Sequence, residues 1–210
     1  MKHILCYGDS NTFGTDPVHG GRHADSVRWT GVLQQLLGPD YRVIEEGCGG
    51  RTTVFEDEIS SGRNGLSMLV PCLASHNPLD LVIIMLGTND LKKRFQATSW
   101  DLGKAMERIV DEIRRFPFEP VYPCPEILIV SPVLIKDGIS DSIYGCFVEE
   151  AAVMSHCFAR EYEAVSRNMG CHFFDAATVA EASEEDRLHM TAESHRKLAE
   201  ALEKVVRSIC

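Results

Sequence analysis

The sequence predicts an α/β fold in three layers, a parallel five-stranded sheet with helices on both faces. Three observations carry this. Five short apolar runs recur along the chain. Each is nearly continuous rather than alternating, as expected of strands covered on both faces. Amphipathic helical patterns separate them, and alternating strands and helices give parallel sheets with right-handed crossovers. A chain of 210 residues is enough for one domain with a sizeable core, spanning 1–210.

The predicted strands are His3–Tyr7, Tyr41–Glu45, Leu81–Leu86, Glu126–Val130 and Cys171–Phe174. The first helix is expected over Ser26–Leu37, with Trp29, Val32, Leu33, Leu36 and Leu37 on one face. Asp25 or Ser26 would cap it, and Gly38-Pro39 would stop it. The second is expected around Leu66–His76, with Pro71 marking a kink or a late start. A third runs from Ser99 to Phe116, with Leu102, Met106, Ile109, Val110 and Ile113 inward. The fourth is read as one helix from Phe147 to Met169, ended by Gly170. The last runs from Thr191 to Ile209. The Pro-rich stretch from Pro117 to Pro125 reads as a connection into the fourth strand.

The formal charge of −10 argues against nucleic acid and anionic membrane surfaces as partners. The apolar run Leu81–Leu86 is far too short to span a bilayer. The chain enters its first strand at once, which leaves no room for a signal peptide ahead of it. The eight cysteines form no C-x-x-C pair, and several lie inside apolar runs. Reduced, buried thiols are expected, and with them a cytoplasmic location.

Four segments with chemical capacity follow the strands. Tyr7-Gly8-Asp9-Ser10-Asn11-Thr12 places a serine just past the first strand, after a glycine that permits a sharp turn. Gly47-Cys48-Gly49-Gly50-Arg51-Thr52 follows the second strand and Gly87-Thr88-Asn89-Asp90 the third. Asp186-Arg187-Leu188-His189 lies beyond the fifth. All four fall past carboxyl ends of strands, the edge where open α/β sheets bind ligands. A serine there needs a base to take its proton, and an imidazole, titrating near neutrality, suits the task. His189 is the candidate base. Asp186, three residues earlier, is close enough to orient the imidazole, with Glu184 and Glu185 as rival acids. Asp9 reads as a residue holding its turn.

Together, in this order, the four segments resemble the blocks of the SGNH hydrolases, the GDSL-type lipases and esterases. Longer stretches, such as Val27–Leu33 and Leu79–Leu86, look like that family's aryl esterase and acyltransferase branch. The resemblance implies a flavodoxin-like strand order, 2-1-3-4-5. It also implies an oxyanion hole formed by the Ser10 N–H, a glycine N–H and the Asn89 amide. Gly50 aligns best as the glycine donor, with Gly49 as rival. The chain departs from the family at Arg187, Leu188 and Met190, where Gly, Ile and Phe usually stand, and at Thr15, where the branch has an aromatic residue.

The function expected is hydrolysis of small, short-chain acyl esters through an acyl-enzyme on Ser10, without cofactor or metal. Acyl transfer to an alcohol or peroxide, and removal of acetyl groups from sugars, are the alternatives. A non-catalytic flavodoxin-like binding module is the alternative from a different class. Two other chemistries have candidate residues in the sequence. Cys48 reads better as a small buried residue than as a thiol nucleophile, and His19 and His23, with Asp16 and Asp25, lack a helical frame to hold a metal. The entrance is expected from loops 15–25, 51–64 and 133–147. The branch resemblance implies a homo-oligomer whose subunits narrow that entrance. Trp29, Phe55, Phe95, Trp100, Tyr144 and Phe147 lie in or beside these loops, and Trp29 is assigned to the core.

Overall fold

The computed structural model describes residues 1–118 and 120–210. Five parallel strands form one sheet: β1 (Lys2–Gly8), β2 (Tyr41–Gly47), β3 (Leu81–Met85), β4 (Glu126–Ser131) and β5 (His172–Asp175). Their order is β2-β1-β3-β4-β5, as the family resemblance implied. The helices are α1 (Ser10–Phe13), α2 (Trp29–Leu37), α3 (Gly65–His76), α4 (Ser99–Arg115), α5 (Glu150–Ser155), α6 (Phe158–Met169) and α7 (Ala192–Ile209).

The alternation of side chains along each strand sorts the core into two layers. Leu5, Tyr7, Val82, Ile84, Ile127 and Ile129 face one side, where they meet α3, α4 and α6 through Leu69, Met106, Ile109 and Phe158. Ile4, Cys6, Ile83, Met85, Leu128 and Val130 face the other, against Trp29 and Leu33 of α2 and Leu198 and Leu202 of α7. Burying each such aliphatic side chain contributes about 1.5–3 kcal/mol. The helix faces named from the sequence therefore become the helix–sheet interfaces, except at Leu36, which turns to solvent at the edge of α2 and is 41% exposed.

The register brings the ends of β1 and β2 level, with Gly8 opposite Gly47. α1 sits directly on these ends. A Cβ on Gly8 would stand 2.0 Å from the Thr12 hydroxyl, and one on Gly47 would stand 2.1 Å from the Phe13 nitrogen. Glycine at both positions lets the serine turn pack flush on the sheet.

Three helices differ from expectation. α2 begins at Trp29 rather than Ser26, because the Asp25 carboxylate accepts from Arg28 at 3.0 Å instead of capping. Arg28 also reaches the Glu45 carboxylate on β2 through two 3.0 Å contacts, which binds the preceding loop to the sheet. α3 runs through Pro71 without a late start, and Asn64 caps it by accepting from the Ser67 N–H at 3.2 Å. The helix expected over 147–169 divides into α5 and α6. Ser155 causes the break: its hydroxyl donates back to the Ala152 carbonyl at 2.6 Å and accepts the Ile135 N–H at 3.2 Å.

α4 opens with a capping box between Thr98 and Asp101, and Thr191 caps α7. Glu119, within the expected 117–125 connection, lies outside the described residues. Cys6 and Cys72 are buried free thiols, as expected, whereas the free thiols Cys48, Cys146, Cys157, Cys171 and Cys210 are only partly buried. Among the described residues, no helix is long and apolar enough to cross a membrane.

Candidate active site

β1 ends at Gly8, and Asp9 caps the short helix that follows, its Oδ1 accepting from the Asn11 N–H at 2.9 Å. Asp9 thus holds the turn, as expected. Ser10 is the first residue of α1, so its N–H belongs to the opening turn, where no intrahelical acceptor exists. Gly14, at φ +83°, ends the helix by donating to the Ser10 carbonyl at 2.8 Å. The serine is thereby held on a rigid four-residue turn at the sheet edge.

His189 and Asp186 occupy the loop before α7, both buried. Nδ1 of His189 lies 2.6 Å from Oδ2 of Asp186. The other carboxylate oxygen accepts the N–H groups of His189 at 2.9 Å and Leu188 at 3.0 Å, and the Ser183 hydroxyl at 3.1 Å. Burial works against the charge of Asp186. The His189 hydrogen bond, the imidazole's charge and the two N–H donors outweigh it and hold the carboxyl below its usual range. Of the rival acids, Glu184 points outward to Lys136, and Glu185 is exposed.

Arg187, between acid and base, takes φ +63°, the left-handed region that favours glycine. Its guanidinium donates to the Gly138 carbonyl, and its own carbonyl accepts the Lys136 N–H at 3.0 Å. These ties hold a residue where the family usually has glycine.

Asn89 lies in the 3₁₀ turn Thr88–Leu91, directly after β3. Its side chain is buried, and its Nδ2 has no hydrogen-bond partner in the protein. Gly49 and Gly50 follow β2, and Gly50 adopts φ +80°. Arg51 anchors this loop by donating to the Gly8 carbonyl at 2.9 Å and to the Glu46 carbonyl.

Ser10, Gly49, Gly50, Asn89 and His189 line one pocket of about 330 Å³. Thr15, Ser60, Tyr144, Cys146 and Phe147 complete part of its wall, so each of the three expected entrance loops contributes. A neighbouring cavity of about 370 Å³, beside Lys136 and His156, has no serine or cysteine in its wall.

The other candidates lie apart from this pocket. The Cys48 sulfur faces Arg63, 2.9 Å from its guanidinium nitrogen. His19 and His23 gather round Asp16, at 3.1 and 3.6 Å. Among the described residues, no cluster of three or more His, Cys, Asp or Glu is placed to hold a metal. His195 is a core residue: it accepts the Trp29 N–H, and burial lowers its pKa to about 3, so it stays neutral.

Sequence reasoning missed four features. Asn11 bridges the two halves of the site, its Oδ1 accepting from Met190 N–H at 2.9 Å and its Nδ2 donating to the Leu188 carbonyl at 3.3 Å. The Tyr144 hydroxyl stands 3.3 Å from His189 Nδ1, its ring edge-on to the imidazole. Lys92 and Arg94 also line the pocket, both paired to the buried Asp57. Beneath the site, burial raises Asp9 to about 6 and Asp90 to about 7, against the N–H groups of Asn11 and Thr53 that bond to them. Only the pairing of a polar residue beside Ser10 with the base loop left any signal in the sequence, and that signal was the position of Asn11 itself.

A family model for the GDSL-like lipase/acylhydrolase family matches residues 6–197. The chain belongs to the GDSL-like lipase/acylhydrolase family. No curated protein matches it significantly by sequence. Among solved structures it is similar to the native M. smegmatis aryl esterase, with 41% identity, full coverage of both chains and a TM-score of 0.93. It is also similar to a carbohydrate acetylesterase family member from Sinorhizobium meliloti, with 39% identity over 100% of this chain and 99% of that one, at a TM-score of 0.93. Est24, a carbohydrate acetylesterase from the same organism, is 34% identical over both full chains, with a TM-score of 0.94. As a member of this family, the protein is a carboxylic ester hydrolase.

Proposed function

We propose that the protein hydrolyses short-chain acyl esters through an acyl-enzyme on Ser10. The observation that carries this is the 2.6 Å Asp186–His189 contact at the edge of a pocket that also holds Ser10 and an unpartnered Asn89 amide. With Nδ1–H donated to Asp186, His189 presents Nε2 as the base. Nε2 takes the Ser10 proton as Oγ adds to the ester carbonyl. The same proton passes to the departing alkoxide as the tetrahedral adduct collapses to the acyl-enzyme. Water, deprotonated by the same nitrogen, then releases the acid and restores Ser10.

The oxyanion formed in each half needs donors already in place. The Ser10 N–H, the Gly50 N–H and the Asn89 amide are assigned this task. Asn89 Nδ2 is a buried donor without a protein acceptor, which costs free energy in the resting enzyme and suits a ligand that supplies one. The left-handed φ of Gly50 supports it over Gly49. Ser10→Ala should abolish hydrolysis of nitrophenyl acetate and labelling by a fluorophosphonate probe, with circular dichroism unchanged. Residual activity within tenfold of wild type would overturn the assignment of Ser10.

Two finer readings share this chemistry. The sequence resemblance to the aryl esterase and acyltransferase branch leaves acyl transfer to an alcohol or peroxide in place of water as one, read by product analysis in alcohol–water mixtures. The resemblance to carbohydrate acetylesterases favours acetylated sugars, read by acetate release from them. A homo-oligomer is proposed as well. Ile59 and Ile143, at the rim in loops 51–64 and 133–147, are 76% and 87% exposed, and Trp100 is 66% exposed. Trp29 and Phe147 are buried within the subunit and take no part. A monomeric mass by light scattering would refute this.

A further inference from the structure

The pocket carries a charge opposite to that of the protein. The chain has a formal charge of −10, yet no Asp or Glu among the described residues lines the pocket, while Lys92 and Arg94 do. Their counter-ion is Asp57, fully buried behind the wall. A single oxygen of that carboxylate serves both cations, Arg94 at 2.8 Å and Lys92 at 3.4 Å. One anion facing two cations leaves a surplus positive charge at the pocket wall. Asp9 and Asp90 lie deeper, beneath the nucleophile turn, and Lys92 interacts with both; near neutrality Asp9, at about 6, is largely ionised and Asp90, at about 7, about half, which leaves Arg94 as the cation directed at the pocket.

Exposure decides whether this charge counts. The Lys92 side chain is only 8% exposed, whereas Arg94 is an exposed residue whose side chain, 28% exposed, stays in contact with water. A charge buried as that of Lys92 acts through a lower dielectric than water and is weakly screened. Arg94 spends one terminal nitrogen on Asp57. The rest of its planar fork remains to meet a second carboxylate. Lys92 reaches across to within 3.5 Å of the Gly50 carbonyl, which puts the charge beside the glycine edge of the site.

We infer that the substrate class is a small ester bearing a carboxylate on either half, with Arg94 and Lys92 selecting for it. This rests on the reading of Ser10 as the nucleophile. It separates the pocket from one built for neutral esters, for which a buried lysine and a half-free guanidinium offer nothing.

The test compares 4-acetoxybenzoate with its methyl ester, which differ in charge at one position, and nitrophenyl hemisuccinate with nitrophenyl butyrate. Each kcat/KM is divided by the ester's hydroxide-catalysed rate. In at least one pair the wild-type enzyme should favour the anion roughly tenfold, as one charge-assisted hydrogen bond allows. The preference should shrink as salt rises, and Arg94→Gln should lower the anion-to-neutral ratio. Ratios at or below unity in both pairs would overturn the inference, as would a ratio unmoved by salt and by Arg94→Gln. Should Arg94→Gln fail to fold, the wild-type ratios and their salt dependence decide alone. Titration of 4-acetoxybenzoate and its methyl ester into Ser10→Ala gives a binding readout without turnover, and equal affinity for the two would count against the inference. If neutral esters are hydrolysed, Ser10→Ala is inactive and the ratios stay at unity, only this inference falls. If no ester is hydrolysed, or Ser10→Ala stays active, the reading of Ser10 falls and this inference with it.

Discussion

The Asn11 carboxamide accepts the backbone N–H of Met190, 179 positions away, at 2.9 Å. Its amide donates to the carbonyl of Leu188, so the backbone on both sides of His189 is fastened to the residue after Ser10. The relative position of Ser10 and the His189 imidazole therefore depends on one side chain as well as on the sheet. Asn11→Ala should lower kcat with little change in KM. A misplacement of about 1 Å at a catalytic contact costs on the order of 10²-fold. Steady-state kinetics on nitrophenyl acetate check this, and a pure KM effect would count against the fastening role.

Asp186→Asn should reduce kcat by about 10³–10⁴-fold while the fold persists, because an amide no longer fixes the imidazole tautomer. Glu184→Gln should leave the rate close to wild type, since its carboxylate is 83% exposed and bound to Lys136. Equal losses from both substitutions would reopen the choice of acid.

Asn89→Ala should cost about 10²–10³ in kcat, the usual value of one oxyanion donor. Thermal stability should not fall with it, because Asn89 Nδ2 bonds to nothing in the folded protein. A large KM increase at unchanged kcat would show that Asn89 binds the ground state.

Asp9 and Asp90 make stability depend on pH in an unusual direction. Their folded pKa values, about 6 and about 7, lie above the ordinary carboxyl value of 3.8. Between roughly pH 4 and 7 these two groups therefore bind more protons in the folded chain than in the unfolded one, and their contribution to stability falls as pH rises through this window, while the buried His195, at about 3, works in the opposite sense. Above it the loss is complete. Asp90→Asn should remove part of this slope, so that the variant gains on wild type between pH 4 and 8. Melting curves across that range check the sign, and parallel profiles would refute it.

Gly47→Ala should destabilise the protein by about 1–3 kcal/mol, the cost of overpacking. Its new methyl would meet the backbone of Thr12 and Phe13, which cannot rotate away. Denaturant unfolding measures the loss.

Much of this architecture was legible because the strands are buried on both faces, and an unbroken run such as Leu81–Leu86 has few other readings. Strand ends were legible to within a few residues. Helix ends were not, where side-chain partners override the capping signals. Asp25 reads as a cap by position, but Arg28 claims its carboxylate. Nothing near Ser155 announces a break, because the Ile135 N–H that its hydroxyl accepts comes from 20 positions earlier. The same limit applies to the site. Ser10, Asn89, Asp186 and His189 stand in recognisable blocks, whereas Lys92 and Arg94 look like surface charges until Asp57 is found behind them. Arg187 is the reverse case: its departure from the family's glycine was visible, and its left-handed backbone explains why glycine is usual there.

The fastening of Asn11 to residues 188 and 190 also bears on when activity can arise during synthesis. Ser10 precedes His189 along the chain, and β2, β3, β4 and β5 are all made between them. Until β5 has joined the sheet edge and the loop before α7 has closed on α1, the serine has neither base nor partner. A growing chain that has not yet made the 186–190 loop therefore holds Ser10 without the imidazole it is paired with in the pocket.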